Sequence, residues 1–254
     1  MSNIDIDVTG LPRNVHEIFR ELTRALVELT RDGLLGFSAF GGWLRDDSFY
    51  EGTPARSVAV VERFDLQALD RFAGQGVRFG KRGLSAPLIM TPAYIQASCD
   101  VFPLELLEIQ QLHALLTGED HFAELKFTPG DLRLQCEREL KSELIQLRQG
   151  LLAAAGQHKL LGDLCRNGAD RTTRVLRGVL HLKGETVAQH ADELLARSVD
   201  ITGVALDAIH RVVSGTAQVG FTEFETFYAE LTNLAGYVDK LDNGSSPPAN
   251  RSKA

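Results

Sequence analysis

The spacing of apolar residues changes near residue 128, and this change divides the predicted structure in two. In residues 15–31 apolar side chains recur every three or four positions, which predicts an amphipathic helix that stops at Gly33. Short apolar runs follow, and their length and β-branched content predict four strands of one sheet, at 33–40, 57–62, 86–91 and 102–109. A helical pattern at 65–73 and a Thr91-Pro92 helix start lie between these runs. The first part of the chain is therefore predicted to be an α+β domain with a small mixed sheet.

From Thr128-Pro129 onward only the helical period is found. The Thr-Pro pair is a helix start signal, and the first helix of this part carries an apolar face with Leu140 and Leu144 near its centre. The pattern predicts an all-α helical bundle over residues 129–242. Residues 243–254 are polar and rich in Pro and Ser, which predicts a disordered tail. The predicted domains are thus 1–128 and 129–242, followed by the tail.

Composition, net charge and cysteine spacing argue against several classes of function. The chain has 254 residues, of which 44% are hydrophobic and 24% charged, as in ordinary soluble globular proteins. The formal net charge of −7 argues against broad nucleic-acid binding. The three cysteines form no CxxC pair, so neither a disulfide framework nor a zinc site is indicated, and a reducing cytoplasm is the expected location. No apolar run is long enough to cross a bilayer and no secretory signal is recognisable, so no membrane partner is expected.

A glycine pair at the end of the first predicted strand is the strongest local signal. Phe40-Gly41-Gly42 is followed by Trp43 and then by Arg45-Asp46-Asp47. This stretch resembles the nucleotidyltransferase superfamily, which includes DNA polymerase β and the aminoglycoside nucleotidyltransferases. Gly41, Gly42, Arg45 and Asp47 match the pattern of its small members, while Asp46 replaces a glycine. The layout is also similar, with a helix before the motif strand, a strand after it, and a helical bundle behind the α/β domain.

The resemblance implies a nucleotide site at this turn, with Gly41, Gly42 and Arg45 as nucleotide-binding residues. Glycines let the backbone approach phosphates closely, and their N–H groups can bind anionic oxygen. The family also places two acids at i and i+2 on the next strand, where they hold Mg²⁺. Here those positions are occupied by Ser57 and Ala59, and residues 52–61 contain no Asp or Glu. The metal-binding half of the motif is therefore degenerate.

Three hypotheses follow from this combination. The first is a catalytically degenerate nucleotidyltransferase-fold protein that binds a nucleotide or a protein partner. The second is an active Mg²⁺-dependent nucleotidyltransferase that uses non-standard acids. Its candidate catalytic residues are Asp47 and Glu105, with Asp46, Glu51 and Glu108 as substitutes. The third is a structural or interaction module without nucleotide. Mg²⁺ is the cofactor only if the protein is active, and the bundle could mediate homo-oligomer formation.

Overall fold

The computed structural model describes residues 5–31, 33–45, 50, 52–63 and 65–241. The chain forms two compact units. The first extends to Lys126 and also includes Val187–Leu194. The second consists of Phe127–Thr186 and the residues from Leu195 onward. The predicted tail, residues 243–254, lies outside the described residues.

A four-stranded mixed sheet is the centre of the first unit. Its strands are β1 (Leu34–Phe40), β2 (Arg56–Val61), β3 (Leu88–Met90) and β4 (His113–Gly118), in the order β3-β2-β1-β4. β1 is antiparallel to both of its neighbours, β2 and β4, whereas β2 and β3 are parallel. The predicted strands at 33–40, 57–62 and 86–91 are therefore confirmed as members of one mixed sheet.

The prediction of a strand at 102–109 is wrong. These residues belong to helix α4 (Pro103–Gln111), and the fourth strand is the segment that follows it. Pro103 occupies the first turn of α4, where its missing N–H is not needed, whereas a central strand would require that donor. Leu104, Leu106 and Ile109 are all buried, so α4 has no polar face that would reveal the helical period.

Three further helices complete this part of the chain: α1 (His16–Thr30), α2 (Leu66–Gly80) and α3 (Pro92–Ala97). α1 lies on one face of the sheet, and the rings of Phe19 and Phe37 approach to 6.3 Å between centroids. The side chain of Asp65 accepts hydrogen bonds from two N–H groups at the start of α2. α2 continues seven residues beyond the predicted end at residue 73, through three glycines.

The second unit is helical. Its elements are α5 (Pro129–Ala154), α6 (His158–Leu182), α8 (Asp207–Val213) and α9 (Phe221–Asp239), together with the later part of α7 (Ala191–Thr202). All regular secondary structure described between residues 129 and 241 is helical, which confirms the predicted change of hydrophobic period. α5 packs on α6 and α9. No helix among the described residues combines the length and apolar content that crossing a bilayer requires.

Of the two leucines predicted at the centre of the buried face of α5, one lies in the core of the second unit. Leu140 is buried, as is Leu147 about two turns further on. Leu144 is only half-buried, because the neighbouring Glu143 points into the core instead. The buried carboxylate of Glu143 forms an ion pair with Arg171 of α6. This pair compensates for burying a charge.

Candidate functional site

The chain turns sharply at Gly41, directly after β1. Gly41 has a φ of 107°, a backbone conformation that favours glycine, and the short 3-10 helix Gly42–Arg45 follows. The N–H of Gly41 donates to the carbonyl oxygen of Leu112 over 2.7 Å. The carbonyl oxygen of Gly41 accepts from the N–H of Leu44 over 3.1 Å. Both backbone groups of Gly41 are therefore already used within the protein.

Side chains of the protein fill the space beside both glycines. A Cβ atom on Gly41 would lie 2.6 Å from a terminal guanidinium nitrogen of Arg56. A Cβ atom on Gly42 would lie 2.2 Å from the ring of Tyr50. The glycines are therefore required for the close approach of Arg56 and Tyr50, and a cation lies against the turn.

The two other motif residues of the turn behave differently from each other. Trp43 is buried, its ring stacks on Phe19 at 5.7 Å, and its Nε1 donates to the carbonyl oxygen of Phe40. Trp43 is thus a core residue. Arg45 is half-buried, and its Nε is buried without a hydrogen-bond partner among the described residues. An unsatisfied buried donor is unfavourable, so an acceptor beside Arg45 would be stabilising.

Ser57 and Ala59 lie in the core. They pair with Ala39 and Phe37 of β1, and paired residues of antiparallel strands share one face of the sheet. This is the face that α1 covers, and Ser57 and Ala59 are only 2% and 0% exposed. The hydroxyl of Ser57 has no hydrogen-bond partner within the described part of the chain. Neither position can present an anionic oxygen to a cation.

The opposite face of the sheet carries charged groups at the same end. Phe40 pairs with Arg56 on one side and with His113 on the other, so these three side chains form one row. The guanidinium of Arg56 lies 4.8 Å from the centre of the Phe40 ring and forms an ion pair with the buried Glu108. His113 Nε2 lies 3.0 Å from a carboxylate oxygen of Asp120. We call Arg56, Glu108, His113 and Asp120 the turn-end cluster.

The pKa of Asp120, in the turn-end cluster, is lowered. Burial acts to raise the pKa of Asp120, but its carboxylate accepts hydrogen bonds from the N–H groups of Phe122 and Ala123 and faces His113. These interactions outweigh burial and lower its pKa below the usual value. Asp120 is therefore held as a carboxylate beside the imidazole.

The remaining predicted acids do not form a metal site in the described structure. Glu105 lies half-buried in the first turn of α4, and Glu108, one turn later, is paired with Arg56. Asp46, Asp47 and Glu51 lie outside the described residues. No group of three or more His, Cys, Asp or Glu side chains in the described ranges is placed to hold a metal ion. The hydroxyl of Ser57 and the methyl group of Ala59 are not the donor set that Mg²⁺ requires.

Three members of the turn-end cluster were not among the predicted site residues. Arg56 precedes the apolar run of β2, and nothing in the local pattern distinguishes it from a solvent-exposed strand end. His113 and Asp120 lie on and after β4, the strand that was not predicted. Recognising Pro103 as a helix start would have moved the strand to His113 and placed this histidine opposite Phe40.

A comparison of the chain with protein-family models found no match, and a comparison with curated proteins found none either.

Proposed function

We propose that this protein is a nucleotidyltransferase-like protein without metal-dependent transfer activity, and that its first unit binds the phosphate of a nucleotide at the turn end of the sheet. Arg45 and Arg56 are the proposed anion-binding residues, at the end of β1 where the resemblance implies a nucleotide. The observation that carries the proposal is the position of Arg56, whose guanidinium lies against Gly41 on the face opposite Ser57 and Ala59.

The charges at the turn end support phosphate binding without a metal ion. The strand positions that would hold Mg²⁺ carry buried, uncharged side chains, while two guanidinium groups belong to the turn and to the start of β2. Guanidinium groups bind phosphate oxygens directly and need no bridging cation. Because Gly41 N–H is bonded to Leu112, we expect the side chains rather than the glycine backbone to supply most of the affinity.

The test is thermal unfolding with ATP, ADP and inorganic pyrophosphate, each in Mg²⁺ and in EDTA. We expect stabilisation of the same size in both, since a ligand that binds only the folded state raises the melting temperature. Arg45→Ala should weaken binding about tenfold, which corresponds to ~1.4 kcal/mol. Arg20→Ala is the matched control, because Arg20 is exposed on α1. Stabilisation that requires Mg²⁺ would favour the active-enzyme hypothesis, and no stabilisation by any of these ligands would favour the structural module.

A second candidate function is association through the bundle. Leu134, Ile145 and Leu152 of α5 are 38%, 50% and 83% exposed. Their spacings bring them to one side of a helix with 3.6 residues per turn. Exposed apolar side chains on one side of a helix would suit the homo-oligomer that the bundle could form. Light scattering should give a mass above that of one chain, and Ile145→Glu should reduce it. Leu66→Glu, at an exposed position of α2, should not.

A further inference from the structure

Two adjoining cavities lie between α1, α2 and β3 in the first unit, and the first of them is at the end of the sheet where β1 begins. Their volumes are about 370 Å³ and about 280 Å³. Leu69 and Ile89 line both, so the two cavities adjoin at these side chains and are treated together as one cleft. We call this cleft the α2 cleft. Gly33, which precedes β1, lines the end of the α2 cleft that is far from the turn at Gly41. The other end is lined by Leu84, which bridges Ala55 next to Arg56 at the start of β2.

One end of the α2 cleft is rich in arginine. Arg31, Arg63 and Arg71 line it, together with the acids Glu62 and Asp65. The carboxylate of Asp65 is occupied, because one oxygen caps α2 and the other lies 4.0 Å from Arg71. Arg31 and Arg63 form no ion pair with another described residue, and both are exposed. This end therefore offers a ligand two cations that have no ion-pair partner in the described part of the chain, beside one exposed acid, Glu62.

The other end of the α2 cleft is apolar. Its lining is almost entirely aliphatic and aromatic and includes Leu22, Phe72, Phe79, Leu84, Pro87 and Ile89. Small-molecule sites have this character, with mostly apolar walls and a few polar groups that fix orientation, and they typically measure ~300–1,000 Å³. The two ends together suit a ligand with an apolar body and one anionic group.

The position of the cleft in the topology agrees with a binding site. α2 connects the parallel strands β2 and β3, and the arginine end lies where β2 ends and α2 begins. Open sheets with parallel strands characteristically bind ligands just beyond the carboxyl ends of those strands. In α2 itself only Ala68 and Phe79 are buried. Its remaining residues leave room for a ligand beneath the helix.

The middle of α2 has a low helix propensity, and its end is held to α1 by ion pairs. Gly74 and Gly76 lie in its interior, where glycine weakens a helix relative to alanine. The helix is tied to α1 near its C-terminal end, where Glu21 forms ion pairs with Arg78 and Arg82. The segment between this tie and the Asp65 cap spans the apolar end of the cleft.

We propose that the α2 cleft binds a small amphipathic anion, with its carboxylate, sulfonate or phosphate at Arg31 and Arg63 and its apolar body against Leu69 and Ile89, which line both cavities. This site is independent of the turn-end site and of its proposed function. Electrostatic attraction at the exposed end predicts that binding weakens as salt is raised.

The test uses anilinonaphthalene sulfonate, which carries an aromatic body and one sulfonate. We expect saturable fluorescence enhancement with one probe per chain. Dodecanoate should displace the probe, whereas dodecyltrimethylammonium, with the same alkyl chain and the opposite charge, should displace it at least about tenfold less well, as charge-assisted hydrogen bonds require. Equal displacement by the two amphiphiles, or enhancement that does not saturate, would overturn the proposal.

Two pairs of variants locate the probe. The double variant Arg31→Ala, Arg63→Ala should weaken probe binding about tenfold, whereas Arg20→Ala should leave it unchanged. Ala73→Glu should weaken it more than Ala73→Gln, because the two side chains have similar size and only Glu repels an anion. Ala73 is exposed and lines the apolar end, so both variants are compatible with folding. Circular dichroism and melting temperature check this. Wild-type affinity in the double arginine variant would show that the probe binds elsewhere, and the proposal would fail.

Discussion

Arg56 at the start of β2 and Glu108 on α4 form an ion pair in which the carboxylate is buried and the guanidinium is partly exposed, with side-chain exposures of 6% and 30%. The pair fixes α4 against the sheet face that carries Phe40. It also gives Glu108 a partner other than a metal ion. A residue that the sequence offered as a metal ligand is neutralised by an arginine of the neighbouring strand.

Removing Arg56 should therefore destabilise the first unit. Arg56→Ala leaves the buried carboxylate of Glu108 without this partner, and we expect a loss of about 1–3 kcal/mol in the free energy of unfolding. The double variant with Glu108→Ala should lose less than the sum of the two single variants, because the second change removes the uncompensated charge. Urea unfolding of the four proteins measures this coupling. Additive losses would mean that the two groups do not interact in solution.

Asp120 should contribute stability that disappears in acid. Its folded-state pKa is lowered, so this contribution is present above the unfolded pKa of about 3.9 and is lost as pH falls through the lower folded value. Asp120→Asn should be less stable than wild type by about 1 kcal/mol at neutral pH, and the difference should shrink as the pH falls below the ordinary aspartate pKa and the carboxylate is protonated. Urea unfolding at several pH values tests this. Asp70→Asn, at an exposed position of α2, is the control and should show no such pH-dependent difference.

Leu140 and Leu152 lie on the same helix in opposite environments. Leu140 is 1% exposed and Leu152 is 83% exposed. Leu140→Ala should cost on the order of 2–5 kcal/mol through lost burial and the cavity left behind. Leu152→Ala should change stability by no more than about 0.5 kcal/mol. Chemical unfolding of the two variants makes the comparison, and equal effects would place Leu140 outside the core in solution.

Replacement of two helical glycines by alanine should change the stability of the protein in opposite directions. A Cβ atom on Gly74 of α2 would meet nothing within 4 Å, so Gly74→Ala should stabilise the protein by about 0.5–1 kcal/mol. A Cβ atom on Gly168 of α6 would lie 2.9 Å from a carboxylate oxygen of Glu143 and 3.2 Å from the Phe227 ring. Gly168→Ala should therefore destabilise the protein by about 1–3 kcal/mol through overpacking. Melting temperatures distinguish the two, and a stabilised Gly168→Ala would contradict the close helix packing.

Hydrophobic patterning allowed most of the fold to be predicted, because a helix buried on one face has a recognisable repeat and a short apolar run indicates a buried strand. The long helices α5 and α6 follow from the helical repeat, and β1, which is buried on both faces, follows from its apolar run. α4 could not be found in this way, since it is buried on nearly all sides and its apolar run lacks a helical period. The misplacement of α4 then hid β4, which begins only two residues after it.

Of the candidate site, only the glycine turn could be predicted, because it depends on residues that are neighbours in the sequence. The turn at Gly41 follows from two glycines after an apolar strand. The turn-end cluster depends on strand register, which brings together residues more than fifty positions apart, and no local pattern encodes the pairing of Phe40 with both Arg56 and His113. The burial of Ser57 and Ala59 likewise depends on which face α1 covers.

The last prediction concerns catalysis: we expect no nucleotide transfer at an ordinary enzymatic rate. A two-metal site needs several carboxylates around the triphosphate, and β2 contributes Ser57 and Ala59, both buried. Glu108, the other acid offered by α4, is paired with Arg56. Each ~1.4 kcal/mol of lost transition-state stabilisation is a factor of ten in rate. The assay is incubation of the protein with labelled nucleoside triphosphates, Mg²⁺ or Mn²⁺, and an extract of its own cells as acceptor. Transfer that is abolished by Asp47→Asn or Glu105→Gln, while Glu28→Gln on α1 leaves it intact, would show that other acids hold the metal and would establish the active-enzyme hypothesis.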